Sequence, residues 1–152
     1  MQKLTFLIAV AIISISCSPK KNQPKTVDNP LIGTWRLISG TTIEGTDTTV
    51  TDYTRDREMI KIINKTHFAF LNHDLNHGKD STAAFVAGGG TYSVKDSLYT
   101  EHLAYCNFRE WEGNSFSFVY TVHGDTLVTK GVEKIEDIGV NRINIEKLVR
   151  EK

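Results

Sequence analysis

The chain has 152 residues, with 18 Lys and Arg balanced by 18 Asp and Glu, so it carries no net formal charge at neutral pH. That length suits one domain. The charge balance excludes a broad nucleic-acid or anionic-membrane surface, which needs clustered positive charge.

The first segment starts with Lys3, runs almost wholly apolar from residue 4 to 15, and closes on Ser14-Ile15-Ser16-Cys17. That order reads as a secretory signal ending at a small-residue cleavage site. It is too short to cross a bilayer, which takes roughly 20 apolar residues. The segment resembles a bacterial lipoprotein signal, in which the cysteine is acylated and becomes the first mature residue. It departs from the usual pattern at Ser14, where a branched aliphatic residue is common; Ile13 stands one place earlier. The resemblance implies a signal peptide over 1–16 and a lipidated Cys17 that begins a tether over 17–29. It also implies a lipid bilayer as partner and a place in the bacterial cell envelope. Ser18 after the cysteine matches sorting to the outer membrane. Cys106 would then have no disulfide partner and reads as a small buried apolar residue on a strand.

Residues 18–29 hold Pro19, Lys20, Lys21, Pro24 and Lys25 and almost nothing apolar, so they predict a flexible tether. Ordered structure should begin with Leu31-Ile32-Gly33-Thr34-Trp35, whose β-branched and aromatic content favours a strand over 31–38. Residues 41–56 are dominated by Thr, Asp, Gly and Glu and predict a long polar connection, a candidate flap over an open end.

From residue 58 onward, short strands alternate with turn chemistry. Residues 59–63 and 67–71 flank Asn64-Lys65, and Asn accepts the left-handed backbone of a tight hairpin. A second pair is 91–94 and 97–106, and a third is 115–122 and 126–130 around His123-Gly124-Asp125. The last strand covers 140–149, and 135–138 could make one helical turn. About eight strands, short turns and no amphipathic helical run predict an all-β protein, an antiparallel barrel or sandwich over residues 30–152.

Within that frame the opening Gly33-Thr34-Trp35 resembles the Gly-x-Trp of lipocalins and other calycins. Residues 61–70, Gly88-Gly89-Gly90-Thr91-Tyr92-Ser93-Val94 and Tyr99-Thr100-Glu101-His102 are similar to segments of small lipocalin-like bacterial lipoproteins. In that family the tryptophan plugs the closed barrel end and an arginine near the end of the last strand stacks across it. The resemblance implies a single antiparallel up-and-down barrel of about eight strands over residues 30–152, that role for Trp35 with Arg150, or with Arg142, and a small-molecule binder. A guanidinium over an indole face gains cation–π attraction while sealing the end.

Such a barrel is either packed solid or leaves room for one small ligand. Strict alternation on 115–122 turns Phe116, Phe118, Tyr120 and Val122 to the interior. Phe68, Phe70, Tyr92, Tyr99 and Tyr105 join Phe116, Phe118 and Tyr120 as candidate cavity residues. Together they suit a small apolar or amphipathic ligand. Alternation over 99–105 puts Tyr99, Glu101, Leu103 and Tyr105 on one face, so Glu101 should point inward and need a donor such as a tyrosine or arginine. The competing reading is a filled barrel acting as a structural or interaction module of the envelope.

His73 and His77 lie in an Asn- and Gly-containing stretch that lacks zinc-site spacing, so no metal is expected. Gly88-Gly89-Gly90 precedes no helix and predicts a bend or bulge at a barrel corner instead of a phosphate cradle. No nucleophile–base pair, acid dyad or cofactor fingerprint is visible, so no catalytic residue or cofactor is assigned.

Overall fold

The computed structural model describes residues 29–152. The expected signal peptide, Cys17 and all of the tether except Asn29 lie outside the described residues. Nine strands follow in order: β1 (Gly33–Glu44), β2 (Asp47–Asp52), β3 (Arg57–Ile63), β4 (His67–Asp74), β5 (Phe85–Lys95), β6 (Leu98–Cys106), β7 (Ser115–His123), β8 (Thr126–Ile135) and β9 (Val140–Arg150). Two single 3₁₀ turns, Arg109–Trp111 and Glu136–Ile138, are the only helical elements among the described residues. The second occupies the stretch expected to make one helical turn.

All pairings are antiparallel, and β9 returns to pair with β1, so β1 and β3–β9 form a closed eight-stranded barrel. β2 stands outside it, bonded only to the outer half of β1. The first four residues of β1 pair with β3, and from Ser39 onward that edge belongs to β2. Closure gives every strand of the cylinder a neighbour on each side, although Arg57–Met59 of β3 have no partner on β1.

The expected loop over 41–56 is therefore corrected: most of it is a hairpin. β1 runs on to Glu44, the chain turns through Gly45 at φ 60°, and Asp47–Asp52 runs back. Thr41, Thr42, Ile43, Thr48, Thr49 and Val50 are β-branched and favour extended backbone. With almost no buried face, this hairpin has the composition of a loop.

The two barrel ends differ. The end holding Trp35 and Arg150 is linked by the short turns 64–66, 96–97 and 124–125. The opposite end carries the longer connections 75–84 and 107–114. At the short-turn end Trp35 is fully buried, and its Nε1 donates to the Leu31 carbonyl at 2.8 Å. The Arg150 guanidinium carbon lies 4.1 Å from the Trp35 ring centre. Its two terminal nitrogens donate to the carbonyls of Ile32 (2.8 Å) and Pro30 (2.9 Å). Segment 29–32 is thereby folded under the barrel as a plug. Gly33 suits that position because its φ of 148° is one that L side chains rarely adopt, and a Cβ would also stand 2.3 Å from an Arg150 nitrogen.

Inward positions follow the strand period on β7, where Phe116 and Phe118 are buried, Tyr120 and Val122 half-buried, and the alternate residues exposed. On β6 the period breaks. Gly89 pairs with Tyr105 but Gly90 with Leu103, so Ala104 is an extra residue in a bulge. The bulge flips the phase: Leu103 points in, Tyr105 is 71% exposed, and Cys106 is buried in its place. Tyr105 is thus removed from the candidate cavity residues.

The glycine run lies inside β5 beside this bulge, not ahead of a strand. A Cβ on Gly90 would sit 1.9 Å from the His102 carbonyl oxygen, so backbone must move to admit it. Gly90→Ala should cost about 3 kcal/mol through overpacking. Gly78→Ala, which meets open space at φ 68°, should cost only about 1 kcal/mol. Urea unfolding of the two variants checks the ranking.

Candidate functional site

The interior is not uniformly apolar. On β3 the two-residue period turns Met59, Lys61 and Ile63 inward, and Lys61 is buried with them. The same rule brings Tyr99, Glu101 and Leu103 in from β6, and Glu146 and Leu148 in from β9. Lys61 Nζ lies 3.0 Å from Glu101 Oε1 and 2.8 Å from Glu146 Oε2. Thr129, the cross-strand neighbour of Glu146, donates its hydroxyl to Glu146 Oε2 at 3.5 Å.

Burial alone would lower the Lys61 pKa, but the Glu101 and Glu146 carboxylates outweigh it and hold the ammonium well above its usual range. Burial pushes Glu101 up, against the pull of Lys61. Burial, and then the Glu101 charge, also raise the Tyr99 phenol. The Tyr99 hydroxyl sits beside Glu101 but has no hydrogen bond of good geometry. One lysine thus serves two buried carboxylates, an arrangement that holds one acid more than it neutralises.

Nearer the long-loop end a second group forms. Glu133 Oε2 accepts from Arg142 Nε at 2.7 Å, and Oε1 accepts from Asn144 Nδ2 at 2.9 Å. The Arg142 guanidinium carbon stands 5.2 Å from the Trp111 ring centre, and Trp111 leans on Phe116 at 5.8 Å between centroids. Each barrel end therefore carries its own tryptophan–arginine stack, and Arg142 belongs to the one away from Trp35.

Between these groups the barrel holds a cavity of about 560 Å³. Its lining takes residues from the outer half of β1, the start of β9, the end of β6 and the 107–114 connection, so it lies at the long-loop end. The volume falls within the roughly 300–1,000 Å³ of small-molecule sites.

Among the residues expected to line it, Glu101, Phe70, Phe116 and Phe118 do so. Phe68 and Tyr99 are buried outside the lining, edge to face at 6.5 Å. Tyr92 packs on Tyr99 at 5.3 Å, donates to the Asn64 carbonyl at 2.7 Å and accepts from Asn29 Nδ2 at 3.0 Å. Tyr120 reaches the Asp96 carbonyl at 3.5 Å. Tyr92 and Tyr120 therefore serve the closed end, outside the cavity. Trp35 and Arg150 lie at that end too.

The residues that sequence reasoning passed over are Lys61, Glu146, Glu133, Asn144, Asn72 and Trp111, and Arg142 was considered only as a partner for Trp35. Alternation on β3 and β9 carried the signal: Lys61 shares a face with Met59 and Ile63, and Arg142, Asn144 and Glu146 share one with Leu148. At the same end, His73 and His77 are exposed while Asp74 accepts backbone N–H bonds from Gly78 and Ala84. Among the described residues no group of three or more His, Cys, Asp or Glu is arranged to hold a metal ion.

The fold and site together define a closed antiparallel β-barrel with a polar-floored, aromatic-walled chamber at one end. The chain matches no protein-family model, no curated protein and no solved structure.

Proposed function

We propose that this barrel is a non-catalytic, lipocalin-like binding module that captures one small amphipathic molecule. In this reading the mature chain is held at the bacterial envelope, on the outer membrane, by an acylated Cys17. The cavity of about 560 Å³ carries the proposal. Its apolar walls come from Leu37, Met59, Phe70, Phe116 and Trp111, and its polar floor from Lys61, Glu101 and Glu146. A purely apolar ligand would leave that floor facing hydrocarbon, so an amphipathic one fits better. The competing filled-barrel interaction module needs an interior without room, and the cavity weighs against it.

Pro30 and Leu31 lie at the closed end. A tether over 17–29 would thus hold the barrel with its long-loop end facing away from the bilayer. Native mass spectrometry of the chain purified from its own membranes tests the reading. A small molecule retained in the gas phase and released on unfolding is the expected result. A bare protein mass, under conditions that keep weak complexes, would count against it.

A further inference from the structure

The charged lining sets the ligand's polar end. Six charged residues face the cavity: Lys61 and Arg142 as cations, and Glu101, Glu110, Glu133 and Glu146 as acids. Glu110 is exposed at the rim. Both cations are already engaged. Lys61 lies between Glu101 and Glu146, and Arg142 bonds Glu133 while stacking on Trp111. An anionic ligand would have to pull a carboxylate off its partner, leaving a buried acid unpaired. A cation displaces nothing and meets the acid that the single lysine leaves in excess.

A second observation points the same way. Asn72 lines the cavity at 7% exposure, and its buried Oδ1 accepts no hydrogen bond. A buried acceptor without a donor carries a desolvation cost that a ligand N–H would relieve. An ammonium supplies several donors together with the missing charge.

We infer that the cavity selects a small molecule with a protonated amine on an apolar or aromatic body. The amine is held among Glu101, Glu146 and Asn72, and the body lies against Phe70, Phe116 and Trp111. This rests on the reading of the barrel as a binding module, and it names the class of molecule bound.

The test compares three matched probes by calorimetry: 2-phenylethylamine, 2-phenylethanol and 3-phenylpropanoate. The full chain is held in nanodiscs of zwitterionic lipid, and empty discs supply the background. The amine should bind at least about tenfold tighter than the alcohol, the step expected for one charge-assisted contact. The carboxylate should bind weakest. Glu101→Gln should remove most of the amine's advantage over the alcohol. Glu146→Gln serves the same purpose if the first variant melts early, and the wild-type ranking needs no variant at all. Equal affinities, or a preference for the carboxylate, would overturn the amine assignment and leave the barrel a binding module of another specificity. If none of the three binds, the amine assignment falls, and the broader reading then depends on the native mass measurement alone.

Discussion

Replacing Lys61 by Met should destabilise the barrel by about 3–5 kcal/mol, the loss found when one partner of a buried ion pair is removed. The side chain is similar in length and apolar, so packing changes little. What changes is that Glu101 and Glu146 face each other across the barrel with no cation between them. Adding Glu101→Gln and Glu146→Gln to Lys61→Met should recover much of the loss, because no buried charge is then left over. Urea unfolding at neutral pH measures both. Equal stability of Lys61→Met and wild type would show that the lysine is not the counter-ion its geometry makes it.

The pH dependence follows from the same groups. In the wild type Lys61 and Tyr99 both have pKa values raised by their surroundings. The folded state therefore keeps protons that the unfolded chain releases near pH 10. Stability from these groups is fully present below the ordinary lysine and tyrosine values, and it declines as pH climbs beyond about 10. In Lys61→Met the sign acts at the other end of the scale. Glu101, already raised by burial, loses the ammonium that opposed the rise. The folded variant then binds a proton more readily than the unfolded chain, so its deficit should shrink as pH falls toward about 4. A deficit that stays constant from pH 7 to 4 would rule out the carboxylates as its source.

Trp35→Ala should cost a similar amount, about 3–5 kcal/mol, for a different reason. The ring is fully buried, directly opposite Arg150 on the neighbouring strand, and bonded through Nε1 to Leu31. Its removal opens a void and leaves the Arg150 guanidinium without the face it covers. Trp35→Phe keeps a ring but loses the Nε1 bond, so its cost should be about 1–2 kcal/mol. Because the cavity lies at the opposite end, ligand affinity in whatever fraction remains folded should not change. Thermal melts give the first result and probe titration the second. A change in affinity as large as the change in stability would place the tryptophan in the binding site after all.

Much of the fold was legible because the strands obey a two-residue period wherever one face is buried. Phe116 and Phe118 could be turned inward from β7 alone, and Glu101 followed from its neighbours Tyr99 and Leu103. Tyr105 could not be placed, because its direction depends on one extra residue. Ala104 is accommodated opposite Gly89 and Gly90, and nothing in 97–106 announces the bulge. The outer hairpin was missed for the opposite reason: with no position fully buried and mostly polar residues on both faces, β1 beyond Ser39 and β2 carry no hydrophobic period. Lys61 was passed over because a lysine amid Met59, Ile60, Ile62 and Ile63 reads as the solvent-facing member of a strand. Its partners come from β6 and β9, 40 and 85 residues further along. Only closure of the sheet reveals why it can turn inward. The donor that Glu101 needed was a lysine, where a tyrosine or arginine had been expected.

The closure has a kinetic consequence. From β3 to β9 each strand pairs with its chain neighbour, so those ladders can zip locally at small entropic cost. The seam between β1 and β9 joins residues as far apart in the chain as Trp35 and Arg150. Loop-closure entropy is therefore concentrated in one late event, and until it occurs two unsatisfied strand edges face solvent together. The nascent barrel should be most vulnerable to intermolecular strand exchange in that interval, and whatever speeds the meeting of its first and last strands should protect the chain from aggregation.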